Sequence, residues 1–204
     1  MSELDGSTLR LVRLTALLVR GNWKGLAALR EAAPAGEPDR RWREAVLQCH
    51  LFAGFPRLVE AYEVLDGAGG LGTPEAAEEE ETGDHPERAT RGAALFERIY
   101  ADQADAVRAR LASFHPDYQR WIAGHAYGRV LSRPGLEADR RELCAVAALL
   151  ALGQDRQLAS HARGAVRCGA TPEEATAVPD AISDLVPAER LQRGRTVLGR
   201  FARS

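Results

Sequence analysis

The stretch RRELCAVAALLALGQDRQLASHARGAVRCG, from Arg140 to Gly169, predicts two antiparallel helices that organise the rest of the chain. Apolar residues recur at helical spacing in its first half, at Leu143, Val146, Ala147 and Leu150. Gly153 is expected to end the first helix, and Asp155 to begin the second. Because the connection between them is short, the two helices must pack against each other as a hairpin.

Two features of this hairpin carry possible chemistry. Asp139 is expected to cap the first helix, with Glu142 closing a capping box three residues later. On the second helix one stripe holds Leu158, His161, Ala165 and Cys168. A titratable imidazole among small apolar residues makes His161 the first candidate functional residue.

The composition indicates an all-α protein. Strand-forming residues are sparse, and Ala, Leu, Arg and Glu dominate the 204 residues. A net charge of -2 gives no basis for binding nucleic acid. The first apolar stretch is interrupted by Arg10, Arg13 and Arg20, so no membrane segment or signal peptide is expected. Cys49, Cys144 and Cys168 form no CxxC pair and fit a reducing, cytoplasmic location.

Changes in composition divide the chain into three parts. Residues 1–66 are expected to form helical hairpins, and helices resume over residues 91–204. Between them, residues 67–90 begin with a glycine-rich segment and then carry seven acidic residues from Glu75 to Glu87 with no Lys or Arg. This composition predicts a solvated, flexible acidic linker.

The sequence also matches itself at an offset of 132 residues. Most of the matching positions are apolar, and Gly21 falls on Gly153, so the same helical break is expected twice. The chemistry is not repeated, because Arg10 falls on Glu142 and Leu29 on His161. We therefore predict two helical hairpins of common design, with any site confined to the second.

The strings HAYGRVLSRPGL (His125 to Leu136), RREL and LASHARGAVRCGATPEE resemble the carboxymuconolactone decarboxylase family. A further segment, REAVLQCHLFAGFP (Arg43 to Pro56), is similar to one that lies later in the family's short members. The chain thus resembles a duplicated or rearranged two-unit member, with residues 1–66 as a degenerate unit and 91–204 as the family-like unit. The resemblance implies an AhpD-like helical bundle.

The wider superfamily includes AhpD alkylhydroperoxidases, whose motif is similar to E-x11-C-x2-C-x3-H. Counted from Glu142, the two cysteine positions hold Gln154 and Gln157, and the histidine position holds His161. A glutamine cannot attack a peroxide, so the resemblance implies that peroxidase activity is absent. It implies instead a cofactor-free lyase or isomerase acting on a small carboxylated ring or lactone.

The residues implied for this activity each have a structural alternative. His161 would be the acid/base group, or a core histidine bonded to a carbonyl or to Glu142. Glu142 would orient it, or only cap its helix. Arg163 or Arg133 would bind an anion, although Arg163 could be solvated and Arg133 could brace a turn.

The remaining candidates are weaker. His125 and Tyr127 would line the same cavity or serve as packing aromatics, and Gln154 and Gln157 would contact the substrate. No spacing of metal ligands is present, so neither a metal nor a cofactor is expected. The alternatives to a lyase are an AhpD-type relative that has lost its CxxC motif and a non-catalytic helical ligand-binding module. Short members of the family pack their hairpins together in homo-oligomers. The resemblance therefore implies a homo-oligomer, either a dimer or a trimer.

Overall fold

A computed structural model describes residues 4–79 and 86–202. The first helices are α1 (Gly6–Arg20), α2 (Trp23–Glu31), α3 (Asp39–Gln48), α4 (His50–Gly67) and α5 (Ala76–Glu79). They are followed by α6 (Glu87–Tyr100), a 3-10 helix (Ala101–Gln103), α7 (Ala104–Phe114), α8 (Pro116–Trp121) and a π-helix (Ile122–Leu131). The last are α9 (Ala138–Leu152), α10 (Asp155–Cys168), α11 (Pro172–Ala181) and α12 (Ala188–Phe201). The described residues contain no strand, which confirms the all-α prediction.

The central hairpin forms as its sequence predicts. Gly153 adopts φ 72° and ψ 35°, the left-handed conformation that ends α9 and that glycine adopts without strain. Almost the whole of α9 is buried, from Arg141 to Ala151, because other helices pack on several of its sides. Helix α10 lies antiparallel against it and buries Leu158, Ala162 and Ala165.

The prediction of a capping box at the start of α9 is wrong. The helix begins two residues earlier, with Glu137 as the capping residue and no side-chain bond to the helix end. Asp139 lies in the first turn, where its carboxylate accepts from the N–H of Arg140 at 2.8 Å. Glu142 is therefore too far along the helix to close a box, and its carboxylate is available for another partner.

The first hairpin, α1–α2, turns in the same way as the central one. Gly21 has φ 68° and ψ 32°, and the next residue donates to the carbonyl of Leu17 at 2.9 Å. At the equivalent positions Gln154 donates to the carbonyl of Leu149, also at 2.9 Å. The two turns are locally alike, and the duplication of whole units stays a prediction.

Further breaks interrupt the helices elsewhere. Gly54 has a non-helical φ of 77° and ψ of 166°, so it kinks α4 just before Pro56, where the Gly-Phe-Pro sequence predicts an interruption. Two further breaks are unpredicted. One separates α3 from α4 at Cys49, and the other follows Tyr100, where Ala101 has a φ of 48°.

Side chains from both halves of the chain share one apolar core. Leu11 and Leu14 of α1 and Leu143 and Leu150 of α9 are each fully buried within it. A second, smaller cluster joins α6 to the π-helix through Phe96, Ile99 and Tyr127, and it also contains Cys168 at the end of α10.

Part of the predicted linker is packed rather than solvated. Leu71 and Glu78 are buried, and Glu78 accepts from Nε of Arg43 at 2.9 Å. The expectation of a fully solvated segment is therefore wrong at these two positions, and Arg88 is buried as well. At Glu78, Arg43 of α3 compensates the buried carboxylate. Residues 80–85 of the predicted linker lie outside the described residues.

Candidate functional site

The central hairpin brings His161 and Glu142 into direct contact. Nδ1 of His161 lies 2.8 Å from Oε2 of Glu142. The carboxylate is almost completely buried, whereas 13% of the imidazole side chain is exposed. With Nδ1 bonded to the carboxylate, the ring can offer Nε2 to a substrate, as in other sites where a carboxylate orients a histidine.

Two opposing effects set the protonation of His161. Burial lowers its pKa, since a charged imidazolium is poorly solvated inside the protein. The negative charge of Glu142 and the hydrogen bond to it act in the opposite direction and prevail, so the pKa lies above the ordinary value of 6.5. A larger fraction of His161 is therefore a proton donor at neutral pH than for a free histidine.

The position of Glu142 depends on a glycine in the facing helix. A Cβ atom placed on Gly164 of α10 would lie 2.4 Å from Oε2 of Glu142 and 3.2 Å from Cγ2 of Ile99. Real Cβ atoms essentially never come that close to another heavy atom, so the carboxylate would have to move. Gly164 thus leaves the space that the carboxylate occupies beneath His161.

Aromatic side chains lie near this pair. The ring of Phe52 from α4 meets His161 edge-on, with centroids 6.1 Å apart. Tyr127 donates to the hydroxyl of Tyr100 at 3.2 Å. Burial, and to a smaller extent the charge of Glu142, raise the pKa of both tyrosines, which stay neutral hydrogen-bonding groups. The sequence singles out Tyr127, but it gives no signal for Phe52 or Tyr100.

Other predicted residues of α10 lie apart from the contact between His161 and Glu142. Gln154 and Gln157 are exposed at the start of the helix. Arg163 is half-buried and stacks on Phe201 of α12, with its guanidinium carbon 4.9 Å from the ring centroid. Its charge nevertheless lowers the pKa of Tyr100, against the stronger effect of burial.

His125 does not share the surroundings of Tyr127. It is exposed, and its Nε2 lies 2.7 Å from Nε2 of His50 in α4. His50 in turn stacks on Phe55, with centroids 5.1 Å apart. Burial, together with the charges of His50 and Arg129, lowers the pKa of His125.

Arg133 braces the fold through a buried ion-pair network. Its Nε and Nη2 atoms both lie 3.0 Å from carboxylate oxygens of Glu44, which is fully buried. Arg141 donates to the same carboxylate at 2.7 Å, and Gln48 donates to the carbonyl of Arg141 at 3.0 Å. Glu44 and Gln48 both belong to the segment Arg43 to Pro56, which resembles part of the family. Their bonds to Arg133 and Arg141 therefore join α3 to the start of α9.

The three cysteines are unpaired and buried. Burial raises the pKa of Cys144 to about 11, and burial with the charge of Glu142 raises the pKa of Cys168 to about 12. Burial also raises the pKa of Cys49. All three are thus protonated at neutral pH, which disfavours thiolate chemistry.

Within residues 4–79 and 86–202, no three His, Cys, Asp or Glu side chains come together as a metal site. Over the same residues, no helix has the length and apolar character needed to cross a bilayer.

Comparison with known proteins finds a match over the part of the chain that contains the central hairpin. Residues 116–194 match the model of the carboxymuconolactone decarboxylase family, and this range contains both Glu142 and His161. Over that range the chain is similar to the carboxymuconolactone decarboxylase family. The chain is also 42% identical over 64 residues to a 4-carboxymuconolactone decarboxylase of Acinetobacter baylyi. The match covers 31% of this chain and 48% of the relative, so the chain spans about half the length of the curated relative that it matches.

Sequence reasoning missed the roles of Glu44, Gly164 and Phe52 within this family-like arrangement. The segment with Glu44 was recognisable by resemblance alone, and its partners are 89 and 97 positions away. Gly164 lies in mid-helix, where a glycine costs stability unless close packing requires it. That cost is the one signal that could have singled it out.

Proposed function

We propose that this protein is a cofactor-free lyase or isomerase that acts on a small carboxylated ring or lactone. The observation that carries the proposal is the 2.8 Å contact between His161 and the buried Glu142. The Acinetobacter relative bears the name of a carboxymuconolactone decarboxylase, which supports this class of substrate.

In the decarboxylation that we propose, the bond between a ring carbon and its carboxylate carbon breaks. Carbon dioxide leaves, and the electron pair moves into the conjugated carbonyl of the substrate. Protonated His161 then donates the Nε2 proton to the carbanion carbon, and solvent returns a proton to the imidazole. Glu142 stabilises the imidazolium before transfer and fixes the orientation of the ring throughout.

The other predicted site residues have supporting roles in this proposal. Tyr127 would face the substrate with Tyr100, while Arg163, Gln154, Gln157 and His125 would lie nearer the entrance. Arg133 is the other proposed anion-binding group. We further propose that the chain is cytoplasmic, since three unpaired cysteines fit a reducing compartment.

Self-association is part of the same proposal. Exposed aromatic residues support it, since Phe55 is 66% exposed and Trp121 is 67% exposed. A homodimer or homotrimer would cover the exposed rings.

The test is decarboxylation of 4-carboxymuconolactone, followed as loss of substrate absorbance and release of carbon dioxide. His161→Gln should lower kcat by about 10²–10⁴. His115→Asn is the control, because His115 caps α8 on the surface and asparagine is a good capping residue. Equal activity in His161→Gln and the wild type would make His161 a core residue and overturn the proposal.

A further inference from the structure

The hydroxyl of Tyr100, at the end of α6, has a proton that no described residue accepts. Tyr127 donates to its oxygen at 3.2 Å, so this bond uses Tyr100 as the acceptor. Within residues 4–79 and 86–202, no hydrogen bond runs from the hydroxyl of Tyr100 to another residue. Tyr127 is buried, whereas Tyr100 is half-buried. Of the two hydroxyl groups, that of Tyr100 is therefore the one left to donate to a bound molecule.

The fold fixes the end of α6 before and after this tyrosine. Nε of Arg98 donates to the carbonyl of Arg167 at 2.7 Å, and Nη1 of Arg167 donates to the carbonyl of Ile99 at 2.7 Å. Directly after Tyr100, Ala101 has a φ of 48° and is the one residue other than glycine with a positive φ in the described part of the chain. This conformation is unfavourable for alanine and persists only where surrounding contacts impose it. The backbone of Tyr100 is thus held in one place.

Ile99 brings the end of α6 beside the carboxylate of Glu142. A Cβ atom added at Gly164 would lie 3.2 Å from Cγ2 of Ile99 and 2.4 Å from Oε2 of Glu142. The isoleucine and the carboxylate therefore border the same gap in α10. Burial is the main cause of the raised pKa of Tyr100, and the charge of Glu142 adds to it. Tyr100 thus lies within the field of Glu142 and stays a neutral donor.

Helix α4 links the two tyrosines to the imidazole. Leu51 packs against the cluster that contains Tyr127. Phe52, the next residue, meets the ring of His161 edge-on, with centroids 6.1 Å apart. The rings of Tyr127 and Tyr100 lie 6.3 Å apart between centroids. Two consecutive residues of α4 therefore join the tyrosines to His161.

We propose that Tyr100 is the oxyanion donor of this site, with its O–H bonded to the carbonyl oxygen of the substrate and Tyr127 as the positioning residue behind it. This role rests on the proposed function, in which the electron pair of the breaking carbon–carbon bond moves into that carbonyl. As negative charge grows on the oxygen, the hydrogen bond from Tyr100 strengthens and stabilises the transition state more than the bound substrate. The proton stays on Tyr100, whereas His161 supplies the proton that reaches carbon. The bond from Tyr127 polarises the hydroxyl of Tyr100 further.

Tyr100→Phe removes the donor and keeps the ring that packs on Phe96, with centroids 4.5 Å apart. We expect kcat for 4-carboxymuconolactone to fall by about 10²–10³, the usual effect of losing one oxyanion donor. KM should change by less than about threefold, because an interaction made in the transition state acts on kcat. Tyr127→Phe should lower kcat by about 3–10-fold, the size of one neutral hydrogen bond.

Tyr62→Phe is the matched control, because it removes the hydroxyl of an exposed tyrosine of α4. It should leave kcat and KM within about twofold of the wild type. Unfolding curves establish that each variant is folded before its activity is compared.

A binding measurement tests the donor without turnover. The probe is 4-hydroxy-3-nitrobenzoate, a small carboxylated ring whose phenolate oxygen carries charge as an enolate oxygen does. Its absorption band moves to shorter wavelength when that oxygen accepts a hydrogen bond. At a pH where the phenol is ionised, Tyr100→Phe should bind it about tenfold more weakly than the wild type and with a smaller shift of the band. Tyr62→Phe should bind it like the wild type.

The two measurements separate the role of Tyr100 from the proposed function. If the wild type binds the phenolate through Tyr100 but releases no carbon dioxide from 4-carboxymuconolactone, the donor stands and the lyase assignment falls. If His161→Gln abolishes turnover whereas folded Tyr100→Phe keeps the kcat of the wild type, the lyase stands and the donor is overturned. Equal phenolate binding by the wild type and Tyr100→Phe, or no binding by the wild type, also overturns it.

Discussion

His161 and Glu142 are separated by 19 positions, yet their side chains meet at 2.8 Å across the interface between α9 and α10. The contact places an almost fully buried carboxylate behind a partly exposed imidazole. It also explains why α10 has a glycine at position 164, where any side chain would displace the carboxylate.

The first prediction concerns the pH dependence of this pair. Because the pKa of folded His161 is raised above 6.5, the stability it contributes is present in full below about pH 6.5. That stability is lost as the pH rises through the folded pKa. Glu142→Gln keeps a hydrogen-bonding group but removes the charge, so the pKa of His161 should fall.

NMR titration of the His161 ring checks the shift, and the alkaline limb of the lyase pH profile should move to lower pH with it. Glu173→Gln, at the surface start of α11, is the control. An unchanged His161 titration in Glu142→Gln would contradict the assignment of Glu142 as its partner.

Gly164→Ala should disturb the carboxylate directly. The added methyl group would lie 2.4 Å from Oε2 of Glu142, so the two helices must separate or the side chain must move. We expect a loss of about 1–3 kcal/mol in the free energy of unfolding and reduced activity. Denaturant unfolding measures the first and the decarboxylation assay the second.

Gly199→Ala is the matched control, because a methyl group added at this position of α12 would have no neighbouring atom within 4 Å. It should be neutral or more stable by up to about 1 kcal/mol, since alanine favours a helix. Equal effects at positions 164 and 199 would show that the space beside Glu142 is not needed.

Glu44 should be the most sensitive charged residue for stability. It is fully buried and compensates Arg133 and Arg141, of which Arg141 is itself buried. Burial lowers the pKa of Arg141, and Glu44 offsets much of that effect. Glu44→Gln removes the carboxylate that both guanidinium groups contact and should cost about 3–5 kcal/mol.

The measurement is chemical denaturation, with Glu63→Gln as the control at an exposed position of α4. The control should change the free energy of unfolding by less than about 0.5 kcal/mol. If both variants were equally stable, the network around Glu44 would not hold α3 to α9.

The exposed aromatic residues predict a homo-oligomer that charged substitutions should dissociate. Sedimentation velocity at micromolar concentration should show a dimer or trimer for the wild type. Phe55→Glu combined with Trp121→Glu should yield a monomer, because the buried rings would be replaced by charges. Ala112→Glu, at an exposed position of α7, should leave the assembly intact, and a monomeric wild type would refute the prediction.

The sequence by itself determined the parts of the fold that depend on local rules. The α9–α10 hairpin follows from apolar residues at helical spacing and from Gly153, whose left-handed conformation is a property of a single residue. The same rules placed the kink at Gly54 and put His161 on the apolar stripe. Both breaks that were missed lie at residues, Cys49 and Ala101, that carry no local signal of a turn.

The tertiary structure alone decided what the charged side chains do. From the sequence, Glu142 fits a capping box as well as a partner for His161, and only the packing of α9 fixed where that helix begins. Arg133 fits either a turn or a substrate, and its pairing with Glu44 required the chain to bring together residues 89 positions apart. Local patterns specify helices because backbone hydrogen bonds join near neighbours, whereas buried charges find their partners only when distant helices have packed.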